Sequence, residues 1–245
     1  MEFARIDLRD GAVVSCSTGD IYFSAADGVH EAEYVYPAAN RITERCAGTG
    51  SFTVGELGFG TGLNCALTLM HMQASREDVQ SLPKSLRYVS FEKFPLMIAD
   101  MHRVAGVVAE SQPVLFRIWT GLIHGIADGI TRQMERPPAE PMPIEWEFIP
   151  GCTVALYLGD AAAVLPGLSL CADAWYLDGF SPDMDPDLWD RDLLAEVTRC
   201  TSPGGSCSSF TSAGWVRRNL QYFGWQITRA PGYGRKRHMT IGHLI

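Results

Sequence analysis

The sequence predicts one α/β unit with a mostly parallel sheet, an antiparallel last strand and a small β extension at its N-terminus. Three features lead there. After residue 50, short apolar runs alternate with segments of helical periodicity, the pattern of strands joined by helical crossovers. The first of these strands runs into a glycine loop that opens a helix. The chain then closes on two strand-like runs around Pro231-Gly232-Tyr233-Gly234, a hairpin-type ending.

The elements follow in order. Residues 51–57 form a strand, and Leu63, Ala66, Leu67 and Met70 repeat at helical spacing behind it. A second strand, 86–91, ends at Glu92. Pro95 suits the first turn of a helix with the stripe Met97, Met101, Val104 and Val108, and another helix covers about 112–127. Residues 131–151 hold five of the 14 prolines and are expected to be irregular. Strands at 153–158 and 174–177 end at Gly159-Asp160 and Asp178-Gly179, and a helix at about 187–199 carries Leu188, Leu193, Leu194 and Val197. Pro203-Gly204-Gly205 turns the chain into a strand at 206–211, followed by a helix at about 213–223 and the strands 225–230 and 237–243. In the first 50 residues, 19–24 and 33–36 look like short strands of a sheet laid over the mouth of a site. The expected division is therefore a β extension, 1–50, and a Rossmann-like domain, 51–245.

Composition narrows the function classes. A chain of 245 residues with 47% hydrophobic composition can bury a core without disulfides or structural metal. The seven cysteines lie far apart without a C-x-x-C pair, the usage of a reduced, cytoplasmic protein without zinc. The N-terminus lacks the pattern of a signal peptide, and no run approaches the roughly 20 apolar residues of a membrane span. The net charge of −8 is unevenly spread: the stretch up to Glu196 carries −15, and the acid-free remainder +7. That remainder is a candidate polyanion footprint. Trp175, Trp189, Trp215 and Trp225 read as core, and the histidines show no metal-ligand spacing.

The candidate chemistry sits at the strand ends. In Glu56-Leu57-Gly58-Phe59-Gly60-Thr61-Gly62 the glycines let bare backbone approach a ligand at a helix N-terminus. The acid two residues before Gly58 suits an ammonium, such as the methionine part of S-adenosylmethionine, and repels pyrophosphate. Glu92 is placed to accept ribose hydroxyls, although it lies 36 residues beyond Glu56. Asp160 is placed to accept from an adenine amino group, with a plain loop aspartate as the alternative. Asp178, in Leu-Asp-Gly-Phe-Ser-Pro, falls where the transferring methyl should lie, and helix capping is its structural rival.

Together with Asp20-Ile21-Tyr22-Phe23-Ser24, Leu63-Asn64, Phe91-Glu92-Lys93-Phe94-Pro95, Phe210-Thr211-Ser212-Ala213-Gly214, Val216-Arg217-Arg218 and Gly232 to Arg237, these strings resemble the methyltransferase domain of the MnmC family of tRNA-modifying enzymes. The resemblance runs from about residue 10 nearly to the end. It implies a Rossmann-like class I fold and methyl transfer from S-adenosylmethionine to the amine of 5-aminomethyl-(2-thio)uridine at the tRNA wobble position. It implies a cofactor site of Tyr22, Glu56, Gly58, Gly60, Gly62, Asn64, Glu92, Lys93 and Asp160, with Asp178 orienting the acceptor amine and no metal. Phe180, Arg217, Arg218, Arg235, Lys236 and Arg237 would face the anticodon arm. Two positions depart from the family's pattern: His238 stands where Glu is frequent, and Asp185-Pro186 replaces Asn-Pro. No flavin-dependent oxidase sequence follows, so the expectation is a stand-alone methyltransferase with a separate enzyme supplying the aminomethyl precursor. The rivals are an N-methyltransferase for a small-molecule or protein amine, and a cofactor- or RNA-binding module without activity.

Overall fold

A computed structural model describes residues 2–9, 12–24, 27–47, 49–74, 85–135 and 142–245. Strands β1 (Ile6–Arg9), β2 (Ala12–Ser15) and β3 (Ile21–Ser24) form a three-stranded antiparallel sheet. Helix α1 (Gly28–Glu33) continues into a π-helical turn, Tyr34–Ala38, and then α2 (Ile42–Cys46). The strand expected at 33–36 is therefore helical. A run of Tyr, Val and Tyr has strand propensity, but the chain buries Val35 and Tyr36 on one helical face and leaves Tyr34 outside. Pro37 has no N–H to give to the preceding turn, and it falls inside the widened turn.

The main domain comprises β4 (Ser51–Leu57), α3 (Leu63–Ala74), β5 (Ser85–Glu92), α4 (Ile98–Gly106), α5 (Pro113–Glu135), β6 (Ile144–Ile149), β7 (Cys152–Leu158), α6 (Ala161–Val164), β8 (Ala172–Leu177), α7 (Arg191–Arg199), β9 (Thr201–Ser209), α8 (Gly214–Tyr222), β10 (Trp225–Pro231) and β11 (His238–Leu244). The sheet order is β10-β11-β9-β8-β4-β5-β7-β6. Strands β9, β8, β4, β5 and β7 are parallel, whereas β11 inserts antiparallel to both β9 and β10. Alternate residues feed two cores: Ala174 and Tyr176 of β8 join Leu67 and Leu122, while Trp175 and Leu177 join Leu194 and Leu220 on the other face. Trp175, Trp189 and Trp225 are core as expected, and Trp215 is partly buried against it.

Four boundaries differ from the expectation. Met97 is 48% exposed and precedes α4, so it is not part of that helix's buried stripe. The helix expected at 187–199 is split: a 3₁₀ turn covers Pro186–Trp189, and the Asp190 side chain caps α7 by accepting from Asp192 N–H. Strand β9 begins at Thr201, five residues early, because Pro203-Gly204-Gly205 is absorbed as a register shift beside β8, and it ends at Ser209. Helix α5 runs to Glu135, and β6 occupies 144–149 as an antiparallel edge, inside the segment expected to be irregular; residues 136–141 lie outside the described residues.

The glycines of α5 explain its length. Gly121, Gly125 and Gly129 recur at i, i+4 and face Phe148, Trp146 and Ile144 of β6, so the bare backbone lets helix and edge strand close on each other. A Cβ on Gly125 would overlap the Trp146 indole. In an exposed helix, Gly→Ala gains about 1 kcal/mol; here the overlap should outweigh it and Gly125→Ala should lose roughly 1–3 kcal/mol. The check is urea unfolding, with a lower midpoint at unchanged slope expected; a raised midpoint would contradict the packing.

Candidate cofactor and acceptor site

The chain leaves β4 outward through β5 and β7 and then returns to β8 on the other side of β4. Strand order reverses there, and in such sheets ligands bind beyond the carboxyl ends of the strands at that crevice. A cavity of about 1380 Å³ opens at this place, lined among others by Gly58, Gly60, Asn64, Glu92, Lys93, Asp160, Asp178 and Phe180. Its volume exceeds the roughly 300–1,000 Å³ typical of a single ligand pocket, so a cofactor and an acceptor can lie side by side. The N-terminal sheet supplies one wall through Asp20, Ile21 and Tyr22, as expected from its sequence position.

The glycine loop is held from both sides. Gly58 N–H donates to the Phe91 carbonyl at 3.0 Å, and the Trp119 indole of α5 donates to the Thr61 carbonyl at 2.8 Å. Gly58 has φ +80°, and a Cβ there would sit 2.9 Å from the Asp178 carbonyl oxygen, so both conformation and space require glycine. Gly60 N–H donates to Glu92 Oε2 at 2.7 Å, and Phe94 N–H to Oε1 at 2.8 Å. Each Glu92 oxygen keeps a lone pair for a hydroxyl.

Beneath the loop two carboxylates share one amide. Asn64 Nδ2, on the first turn of α3, donates to Glu56 Oε1 at 3.1 Å and to Asp178 Oδ2 at 2.8 Å. Ser90 Oγ donates to Glu56 Oε2 at 2.6 Å, and Gly179 N–H donates to Asp178 Oδ1 at 2.8 Å. Burial pushes Glu56 up to about 8, with the Asp178 charge adding to it against the Ser90 and Asn64 bonds. Asp178 is also raised by burial, opposed by the Tyr36 hydroxyl, Gly179 N–H and the Asn64 amide.

This arrangement corrects the expectation of direct cofactor contact at two positions. Glu56 is 0% exposed and does not line the cavity, because the inward face of β4 turns it toward Ser90 and α3, where Ser90 and Asn64 donate to its oxygens. Gly62 is buried against Phe59 and Leu122 and does not line the cavity. The others reach it. Tyr22 stands edge-on to Phe180, ring centroids 5.2 Å apart, and over Gly60. Asp160 is at once a helix cap and a cavity residue: it caps α6 through Ala162 N–H and pairs with Lys93 at 2.7 Å. That ion pair holds the Asp160 carboxyl below its ordinary value.

The basic residues meet only in part. Lys236 and Arg237 line a shallow groove beside the cavity, with Ser181, Phe210 and Ser212. Arg217 donates to the Ser212 carbonyl at 3.2 Å, and Arg218 and Arg235 are exposed. Lys236 also enters the cavity and pairs with Glu31 at 2.7 Å. Two residues with no role assigned from the sequence belong to the site. Asp20 ties the N-terminal sheet to the Asp178 loop by accepting from Ser181 N–H at 3.0 Å. Tyr36 lines the cavity beside Asp178, and reading 33–36 as strand hid it. Asp20 stood in a motif that could have flagged it.

The residues present fit S-adenosylmethionine. Around the glycine loop the cavity offers backbone and the carboxylates of Asp20, Glu92, Asp160, Asp178, Asp185 and Asp187 against Arg5, Lys93 and Lys236, a surface for a cationic, phosphate-free nucleoside. Among the described residues no group of three or more His, Cys, Asp or Glu could hold a metal ion.

The raised Glu56 pKa also bears on stability. Folding holds the proton on Glu56 up to about pH 8, whereas the unfolded chain releases it near 4.5. The folded state binds more protons in that window, so this group's contribution to stability falls as pH rises through it. Glu56→Gln, which keeps an acceptor for Asn64, should flatten the decline of the urea midpoint between pH 5 and 8; an unchanged decline would contradict the assignment.

Comparison with known proteins places this geometry. Residues 127–245 match the family described as S-adenosyl-L-methionine-dependent methyltransferase. The tRNA 5-methylaminomethyl-2-thiouridine biosynthesis bifunctional protein MnmC of Chromobacterium violaceum is 36% identical over 98% of this chain and 34% of its own length. That of Pseudomonas aeruginosa is 38% identical over 98% of this chain and 35% of its own. The chain thus spans about a third of the length of the curated relatives it matches. Among solved structures, MnmC2 from Aquifex aeolicus superposes with a TM-score of 0.70 at 25% identity, covering 100% of this chain and 71% of that one. Spermidine synthase from Thermotoga maritima, at 10% identity, TM-score 0.51 and coverage of 100% and 70%, shares the fold. The chain is thus similar to S-adenosyl-L-methionine-dependent methyltransferases over residues 127–245 and to MnmC proteins along nearly its whole length, with a cleft at its switch point.

Proposed function

We propose that this chain is an S-adenosylmethionine-dependent methyltransferase that acts on the amine of 5-aminomethyl-(2-thio)uridine at the wobble position of tRNA, giving 5-methylaminomethyl-(2-thio)uridine. The observation that carries the reading is Asp178, a carboxylate fixed by Asn64 and Gly179 at the cavity floor beside the glycine loop, in a chain 36% and 38% identical to proteins named for that nucleoside. The proposed cofactor set is Tyr22, Gly58, Gly60, Asn64, Glu92, Lys93 and Asp160, with Glu56 and Gly62 shaping it from below. Phe180 is proposed to pack against the wobble base, and Arg217, Arg218, Arg235, Lys236 and Arg237 to meet the anticodon arm. Cytoplasmic action and a separate source of the aminomethyl precursor belong to the same proposal; no described helix is long and apolar enough to cross a membrane.

The bound cofactor supplies an electrophilic methyl on a sulfonium. The acceptor's nitrogen lone pair forms the N–C bond as the C–S bond breaks, the bonding pair leaves on sulfur, and the nitrogen's proton passes to Asp178 or water. Alignment is the chain's main contribution, since in-line attack depends on how well the nitrogen is held. The acidic lining equally suits a free small-molecule or protein amine, and the assay separates the two. Incubation with labelled S-adenosylmethionine and tRNA from cells lacking the wobble methyl, followed by digestion, should put the label in 5-methylaminomethyl-(2-thio)uridine; label on no tRNA would refute the proposal.

Asp178→Asn should cut kcat by about 10²-fold or more, as expected when a positioned proton acceptor is lost, while cofactor affinity measured by calorimetry changes little. Equal loss of both would remove Asp178 from the chemistry. Arg→Ala at 235 or 237 should weaken tRNA binding and lower the slope of log K against log salt by about 1; an unchanged slope would clear those residues of phosphate contact.

A further inference from the structure

We propose that Tyr36 and Asp178 form a two-acceptor seat that admits a primary amine and stops the reaction at one methyl group. The proposal rests on the function proposed above and adds the determinant of its product. Tyr36 is 4% exposed and lines the cavity, and its hydroxyl makes no hydrogen bond of regular geometry, although it faces the Asp178 carboxylate. A buried hydroxyl held this loosely keeps its oxygen free to accept, and this one borders the site where the acceptor must arrive. It lies beside the Asp178 carboxylate, close enough for each group to perturb the other's ionisation.

The hydroxyl is held in place. The Tyr36 ring packs on Tyr176 with centroids 5.4 Å apart, and the Tyr176 hydroxyl meets Thr68 Oγ1 at 3.1 Å. The Tyr36 carbonyl accepts from both the backbone and the side-chain N–H of Asn40, whose amide also donates to Ser208 Oγ on β9 at 2.7 Å. The π-helical turn at 34–38 sets the ring at this angle, and such turns recur at functional sites.

The count of hydrogens sets the specificity. A primary amine has two N–H groups and one lone pair. With the lone pair aimed at the methyl donor, one N–H reaches an Asp178 oxygen and the other the Tyr36 oxygen, whose own proton turns to Asp178. After transfer, the secondary amine has one N–H, and its methyl occupies the direction of the other. Presenting the lone pair again presses that methyl on one of the two oxygens and leaves the oxygen unpaired, so the second transfer is slow. Tyr36→Phe removes the oxygen and leaves room for the methyl.

The test uses labelled S-adenosylmethionine, hypomodified tRNA and quantification of mono- and dimethylated nucleoside. The wild type should give the monomethyl product alone. Tyr36→Phe should lower kcat for the first transfer about tenfold, from one lost hydrogen bond, and raise the dimethyl share to about a tenth or more. Cofactor affinity by calorimetry, within about threefold of the wild type, shows the variant folded. A variant that still stops at one methyl, at any rate, overturns the proposal. Should the variant fail to bind cofactor, the wild type decides: tRNA already bearing the monomethyl nucleoside should take label about a hundredfold more slowly than the amine, and comparable rates overturn the proposal. If the wild type labels no tRNA, it is the underlying function that fails.

Discussion

One amide, the side chain of Asn64, holds the site together. It donates to two carboxylates, Glu56 on the central strand β4 and Asp178 at the end of its neighbour β8. Two ionised carboxylates this close would repel one another in a low dielectric, and the Asp178 charge adds to the burial that keeps Glu56 protonated up to about pH 8. A shared donor offsets part of that repulsion and fixes the distance between strand ends. The amide sits in the first turn of α3, so the helix start, the glycine loop before it and both strand tips become one rigid unit. Glu56 remains buried because Ser90 and Asn64 satisfy its oxygens; with either gone, a buried acceptor would lack a partner.

Around that unit the remaining elements act as walls. Trp119 ties the far helix α5 to the glycine loop, and the glycine stripe of α5 lets β6 extend the sheet beneath it. On the open side, Asp20 reaches from the N-terminal sheet to Ser181, so Tyr22 faces Phe180 across the cavity mouth. A ligand entering this mouth meets aromatic faces first and carboxylates below.

How much of this the sequence disclosed depends on the range of the forces involved. Strands β4, β5, β7 and β8 and the acids at their ends were legible because a parallel core strand is a short apolar run and the loops after it carry the polar residues. The antiparallel last strand was legible from its hairpin turn. Helix α5 beyond residue 127 was not, since Gly129 weakens helix propensity there and the prolines that follow pointed to irregular chain, whereas the side chains of β6, brought in by the fold, pack against the helix. Tyr36 was hidden for a similar reason: a Tyr-Val-Tyr run favours strand locally, and burial against β8 and β9 overrides it. Glu56 stands in the motif the sequence singles out, but its burial beneath the cavity depends on which face of β4 turns inward, a matter of strand parity against partners far along the chain. Of the basic C-terminal residues, composition gave the cluster; the hairpin loop brings Lys236 and Arg237 to the groove, and leaves Arg235 apart from it.

The split between acidic cavity and basic C-terminal region solves an electrostatic conflict that the proposed reaction imposes. The acceptor amine must lose its proton to attack, yet a cluster of carboxylates favours the ammonium. An alkylamine ordinarily keeps its proton at neutral pH, so the Asp178 carboxylate alone does not hold the amine neutral. Two effects would act the other way: desolvation in the cavity penalises the cation, and a sulfonium bound alongside would repel a second positive charge. On the proposed reading the carboxylates would serve mainly to bind the cofactor and to receive the proton once the methylated nitrogen carries the positive charge. A nucleic-acid backbone brought into the same cavity would meet Asp160, Asp185 and Asp187. Lys236, at the cavity's edge, and Arg237 line the adjoining groove, where on the proposed reading they would hold the phosphates outside. At physiological salt such fields fade over about 8 Å, so the two surfaces can lie side by side with opposite sign, and a flipped-out base is the part of the polyanion able to cross from one to the other.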